Sequence, residues 1–202
     1  AQLKAAALFR SGDHQFRTSL DITETFTRTP VIDKLIKSTD IFKFEAMYLY
    51  NILDWLGPYA RFGLSTNMIE GFSVQPDFAR WRIVDLDGSE EFRTARELRL
   101  TDWFSPLQLR ESVGFFATPW QEKYFNVEFR LGFGALHLLA KDQYAVADDG
   151  ATDEIDVIEL DSFNQAGGEA ALTITGELYE KKLVYKLSAE ALVPWINDLR
   201  EG

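Results

Sequence analysis

The feature that most constrains this chain is a two-residue alternation held over residues 123–139. Phe125, Val127, Phe129, Leu131, Phe133, Ala135, His137 and Leu139 occupy the odd positions, against Tyr124, Asn126, Glu128, Arg130, Gly132 and Gly134. A β-strand turns successive side chains to opposite faces, so one face here is greasy and the other polar or small. At about 3.3 Å per residue the segment reaches roughly 50 Å, whereas an ordinary strand holds about five or six residues. A strand of this length crosses a bilayer even when tilted.

The same grammar recurs along the chain. In 14–26 the apolar face carries Phe16, Leu20, Ile22 and Phe26; in 42–53 it reads Phe42, Phe44, Ala46, Tyr48, Tyr50 and Ile52. Ala60, Phe62, Leu64 and Met68 continue it in 58–68, and Leu107, Leu109, Val113 and Phe115 in 107–117. Segments 169–178 and 182–193 follow, and 2–10, 77–86 and 92–104 are weaker candidates. Ser11-Gly12-Asp13, Asp54-Trp55-Leu56-Gly57-Pro58, Asp102-Trp103-Phe104-Ser105-Pro106, Thr118-Pro119-Trp120-Gln121 and Tyr179-Glu180-Lys181 supply turn chemistry between them. The spacing of Val31, Ile32, Leu35 and Ile36 after Pro30 predicts a short helix within 27–40. These readings give one all-β domain over 1–202, an antiparallel transmembrane β-barrel of about ten strands. With ten crossings the long connections 27–40, 69–76 and 141–162 share one side, the outer-membrane arrangement. The two Asp-Trp turns then fall on opposite sides. If 77–86 is only a loop hairpin they share a side, and 141–162 changes sides.

A soluble barrel alternates too, with its apolar face inward, and would bind a small apolar ligand in an aromatic-lined cavity. Three features favour the membrane. The strands are long. Their polar faces mix charge with Gly and Ser, which suits a narrow lumen. Trp55, Trp103, Trp120 and Trp195 sit at strand ends or turns, where an aromatic girdle lies. Sixteen Phe, seven Tyr and five Trp suit such interfaces, although tryptophans also cap soluble cores. The expected lumen-facing charges are Arg61, Arg110, Glu128, Arg130, Lys186 and Glu190.

A net charge of −11 argues against a nucleic-acid partner, and the absence of Cys excludes zinc ribbons and thiol catalysis. No apolar run of eighteen residues predicts a transmembrane helix, no signal peptide is visible, and the start at Ala1-Gln2 fits a mature terminus after cleavage as well as an arbitrary boundary. His14 and His137 are the only histidines, and no G-x-S-x-G, H-E-x-x-H or P-loop motif occurs. His137 shares the greasy face and reads as interfacial, and His14 belongs to a turn with Asp13. No enzyme activity, cofactor or metal site is expected. The acidic run from Asp142 to Asp161 offers oxygen ligands without the glycine placement of an EF-hand, so it reads as a solvated loop. Glu111 is the anomaly. It is in phase with Leu109 and Val113, which aims a carboxylate at lipid. A register bulge that turns it inward is the favoured reading, and a protein-contact face of Leu109, Glu111 and Val113 is the alternative.

Lys37-Ser38-Thr39-Asp40, the aromatic strand after it and its Trp-Leu-Gly-Pro turn resemble outer-membrane β-barrels of Gram-negative bacteria whose function is not established. Trp103-Phe104-Ser105-Pro106-Leu107 with Glu111-Ser112-Val113-Gly114 is similar to a strand-turn-strand pattern of the same proteins, so the likeness covers about residues 37–140. The resemblance implies a barrel at the outer membrane and carries no activity. Such barrels commonly end on an aromatic residue, and Leu199-Arg200-Glu201-Gly202 does not, which points either to a barrel incomplete at the C-terminus or to another insertion signal. The function expected is a narrow pore or a structural subunit of an envelope complex, with outer-membrane lipid and other envelope proteins as partners.

Overall fold

Alternating residues commit the backbone to strands, and how those strands pair determines the architecture. The computed structural model describes residues 1–29, 32–148, 150, 152–178 and 182–198. Among them are twelve strands and no helix. They are β1 (Gln2–Ser11), β2 (His14–Thr29), β3 (Ile32–Tyr50), β4 (Leu56–Thr66), β5 (Gly71–Val84), β6 (Glu90–Thr101), β7 (Leu107–Glu122), β8 (Phe125–Leu139), β9 (Tyr144–Val146), β10 (Ile155–Glu159), β11 (Phe163–Leu178) and β12 (Leu183–Asp198).

Eight of them form one antiparallel sheet in the order β1-β2-β3-β4-β7-β8-β11-β12, curled strongly into a half-barrel. β1 and β12 are its edges. The other four form a second sheet, β6-β5-β10-β9. Of the ten strands expected in one barrel, eight lie in this half-barrel sheet, because 77–86 and 92–104 leave it together as the β5–β6 hairpin. What draws them away is a core of their own. Trp81, Ile83, Leu98 and Val157 are buried together, and Trp81 Nε1 donates to the Ala95 carbonyl at 3.0 Å. The acidic segment 141–162, expected as a loop, supplies β9 and β10 to this sheet. β10 pairs parallel to β5, with Ile155 opposite Trp81, and Arg82 clasps Asp156 through bonds of 2.8 and 2.7 Å.

This pairing sorts the connections by end. The links β1–β2, β3–β4, β7–β8 and β11–β12 lie at one end, the turn end. The β2–β3 link and both excursions into the second sheet lie at the other, the insertion end. The two Asp-Trp turns therefore lie at opposite ends, because the excursion between them uses an even number of strands.

The expected helix within 27–40 is also a strand. Ile32 pairs with Thr29 and Ile36 with Thr27, so β2 captures a segment whose isoleucines suit a pleated surface better than a helix. Val31 lies outside the described residues, as do the Tyr179-Glu180-Lys181 turn and the Leu199–Gly202 end. The β3–β4 hairpin has the register that the alternation requires. Phe44 faces Leu64 and Ala46 faces Phe62, so the even residues share a face.

Which face is inside follows from β8. Leu131 is 69% exposed and Phe133 61%, whereas Glu128 and Arg130 are 6% exposed. The apolar side is convex and the charged side concave. Glycine permits the tight curl where β7 meets β8. Gly114 faces Gly132, and a side chain on Gly132 would collide with the Val113 carbonyl.

Candidate functional site

The concave face is built by the residues that alternate against the apolar positions. Arg17 comes from β2, Glu45 from β3, Arg61 from β4 and Arg110 from β7. Glu128 and Arg130 come from β8, Glu169 from β11 and Glu190 from β12. The curl brings them into one ion-paired knot. Arg61 donates to Glu45 at 2.6 Å and to Glu190 at 2.8 Å. Arg110 reaches Glu169 at 3.1 Å and Glu190 at 2.9 Å. Arg130 reaches Glu190 at 3.1 Å and stands 3.6 Å from Glu128, whose other oxygen takes Arg17 at 2.6 Å. Four guanidinium groups meet four carboxylates, so the knot is neutral.

Glu190 is its hub, shared by three arginines. Burial makes this arrangement necessary. Glu169 is 1% exposed, and a desolvated carboxylate is tolerable only with charge-assisted partners. Towards the turn end the concavity is filled differently, by Met47, Leu49, Tyr59 and Phe116 packed as an apolar cluster.

Of the charges expected in the lumen, Arg61, Arg110, Glu128, Arg130 and Glu190 are thus brought together. Lys186 faces the same concavity but stands outside the knot, beside a cavity of about 460 Å³. The sequence reading missed Arg17, Glu45 and Glu169 as members. All three carry the signal that identified the others, a charge in the polar phase of an amphipathic strand.

Glu111 departs from expectation. β7 is regular around it, with Phe62 and Ala135 as its direct neighbours, and the one register shift between β7 and β8 lies at Ala117/Trp120. No bulge turns it inward, because flanking pairs on both β4 and β8 hold the register. Glu111 stands exposed on the convex face in phase with Leu109 and Val113. Leu109 and Val113 flank it in the same phase of β7, and Phe62 and Ala135 stand beside it on the neighbouring strands. One step further along β8 in the same phase is His137, whose Nδ1 lies 2.7 Å from the Asn164 amide oxygen.

On β8 the apolar convex residues run from Phe125 to Ala135. These ten steps, tilted as barrel strands are, give a band of about 25 Å. Exposed Trp55, Trp120 and Tyr124 flank it at the turn end, where the His14 Nδ1 also meets the Tyr48 hydroxyl at 2.6 Å. Trp195 packs edge-on to Phe133 towards the other end, and Trp103 precedes β7 there.

The second sheet carries its own ionisable contact. The Tyr144 hydroxyl donates to Asp85 at 3.2 Å. Burial, and then the Asp85 carboxylate beside it, push its pKa above the ordinary 10.0. Among the described residues no group of His, Cys, Asp and Glu is arranged to hold a metal ion. No family model, curated protein or solved structure matches the chain.

Proposed function

We propose that this chain is the membrane-embedded barrel of a structural subunit in an outer-membrane assembly, filled by its own side chains rather than open as a pore. The observation that carries this reading is the inversion of the sheet. Large apolar residues cover the convex face, and paired charges fill the concave one. In water such a convex face would be an aggregation hazard, but in lipid it is the stable arrangement. The band of about 25 Å, its aromatic flanks, and short turns at one end opposite long excursions at the other support the same address. The alternative, a soluble barrel with an aromatic-lined cavity, is disfavoured because the concave residues are ionic.

The finer architecture belongs to this proposal. A lipid-facing sheet cannot leave edges unpaired, so β1 and β12 close the barrel against one another. Two ion pairs support a ring of eight. Arg17–Glu128 joins strands four places apart in the sheet order, and so does Arg61–Glu190. In a ring of eight those strands are diametrically opposed, across an interior just wide enough for side chains. The even count makes the closing pair antiparallel.

The test is quenching of the convex tryptophans by brominated phospholipids after reconstitution, with planar-bilayer conductance recorded on the same preparation. Strong quenching with no steady channels is expected. A protein that is monodisperse without detergent and unquenched by lipid would remove the membrane reading. Steady ohmic channels would replace the filled barrel with a pore.

A further inference from the structure

The knot accounts for four arginines of the concave face, and of the cations outside it Arg10 and Lys186 border one cavity. The cavity of about 460 Å³ is lined on one side by Ala6, Leu8 and Arg10 of β1 and on the other by Thr173, Thr175 and Lys186. Arg17, Glu45, Met47, Glu128 and Arg130 lie along its floor. Each of those floor charges is spent, Arg17 on Glu128, Glu45 on Arg61, and Arg130 on Glu190. Arg10 and Lys186 have no carboxylate within ion-pair distance among the described residues. Glu177, two positions beyond Thr175, does not reach Lys186. Two like charges therefore face one concavity with nothing to balance them, next to the apolar side chains of Ala6, Leu8 and Met47.

From this we infer that the cavity is a binding site for an anionic amphiphile, a carboxylate with a short aliphatic chain. Like charges around a concave surface focus a positive potential, and a single anion relieves both. The Thr173 and Thr175 hydroxyls add neutral donors for its oxygens. The chain lies against Ala6, Leu8 and Met47, and the volume falls within the usual range of small-molecule sites, about 300–1,000 Å³. Net charge distinguishes this half of the concavity from the neutral knot, and that sets the sign of the ligand.

The experiment titrates octanoate into the folded full chain in nonionic detergent by calorimetry, with protein-free micelles subtracted. Acetate tests charge alone, octanol the chain alone, and octylammonium the opposite charge. Saturable octanoate binding is expected, with each of the other three at least about tenfold weaker. Arg10→Gln and Lys186→Gln each weaken octanoate about tenfold, while Arg10→Lys and Lys186→Arg retain it. Octylammonium binding as tightly as octanoate overturns the site without recourse to any variant. So does undiminished octanoate affinity in the folded Arg10→Gln/Lys186→Gln protein, or no saturable octanoate binding. These readouts concern the concave face alone. Their failure leaves the membrane reading standing, and a protein unquenched by lipid can bind octanoate.

Discussion

Glu190 shows how much of this molecule depends on single charges. Its carboxylate takes Arg61, Arg110 and Arg130 at once, so replacing it deprives three guanidinium groups of a charged partner. Glu190→Gln keeps the shape and removes the charge. A loss of about 2–4 kcal/mol is expected, below the fully buried case because the side chain is 24% exposed. Urea unfolding in detergent measures it. Asp21→Asn is the contrast. The Lys4–Asp21 pair is exposed, and its loss should cost less than about 1 kcal/mol. Equal costs for the two variants would mean that the knot is solvated like a surface pair. Glu111 makes the opposite point. On the exposed convex face among apolar neighbours, Glu111→Leu should not destabilise the protein by more than about 1 kcal/mol. A partner that covers Leu109, Glu111 and Val113 would be revealed by loss of co-assembly in that variant, with folding intact.

At the scale of elements, the β5–β6 and β9–β10 segments are best understood as one unit on the insertion end. Their parallel β5–β10 ladder is joined by the Arg82–Asp156 clasp and closed by Tyr144 on Asp85. The Tyr144 contact gives this unit a pH dependence whose sign is determined by its raised pKa. The phenol is held neutral in the folded sheet and ionises earlier in the unfolded chain. Its stabilising contribution is therefore complete below the ordinary value of 10.0 and is lost as pH rises through the raised one. Fluorescence of Trp81, buried in the same core, should report loosening of this sheet on alkaline titration. Tyr144→Phe should flatten that limb. An unchanged alkaline profile in the variant would assign the transition to another group.

For the whole molecule, the proposed closed barrel depends on a seam between β1 and β12, the two edges of the half-barrel sheet. Ala6, Ala7, Leu8, Arg10 and Lys186 border the same cavity, and the proposed closure would set Ala7 beside Leu187 on the convex side. A cysteine pair, Ala7→Cys with Leu187→Cys, should cross-link within one chain under mild oxidation in detergent. Cross-linking only between chains would mean that copies complete each other's sheets. No cross-link, with channels larger than eight strands can enclose, would mean that further strands separate β1 from β12. A chain with net charge −11 nonetheless holds a neutral knot at the centre of its concave face. The excess acid lies outside the knot, whose buried groups are tolerable because they balance.

The alternation by itself determined the all-β class, the amphipathic character of each long strand and the membership of Arg61, Arg110, Glu128, Arg130 and Glu190 in one face. A period of two fixes sidedness whatever the strand pairs with, because it is a property of the pleat. It did not determine which strands share a sheet. Residues 77–86 and 92–104 alternate too weakly to say whether they join the barrel or leave it, and only the packing of Trp81 against Val157 decided that they leave. Residues 32–36 carry helix-like spacing, and pairing with β2 overrode it because a ladder partner outweighs a weak local preference. Whether the greasy face is convex or concave was likewise open, since both barrels alternate alike. That choice belongs to the direction of curl, which arises where Arg17 meets Glu128 and Arg61 meets Glu190, residues 111 and 129 positions apart in the chain. Contacts so distant in sequence leave no local signature, because each residue looks the same whichever remote partner it finds.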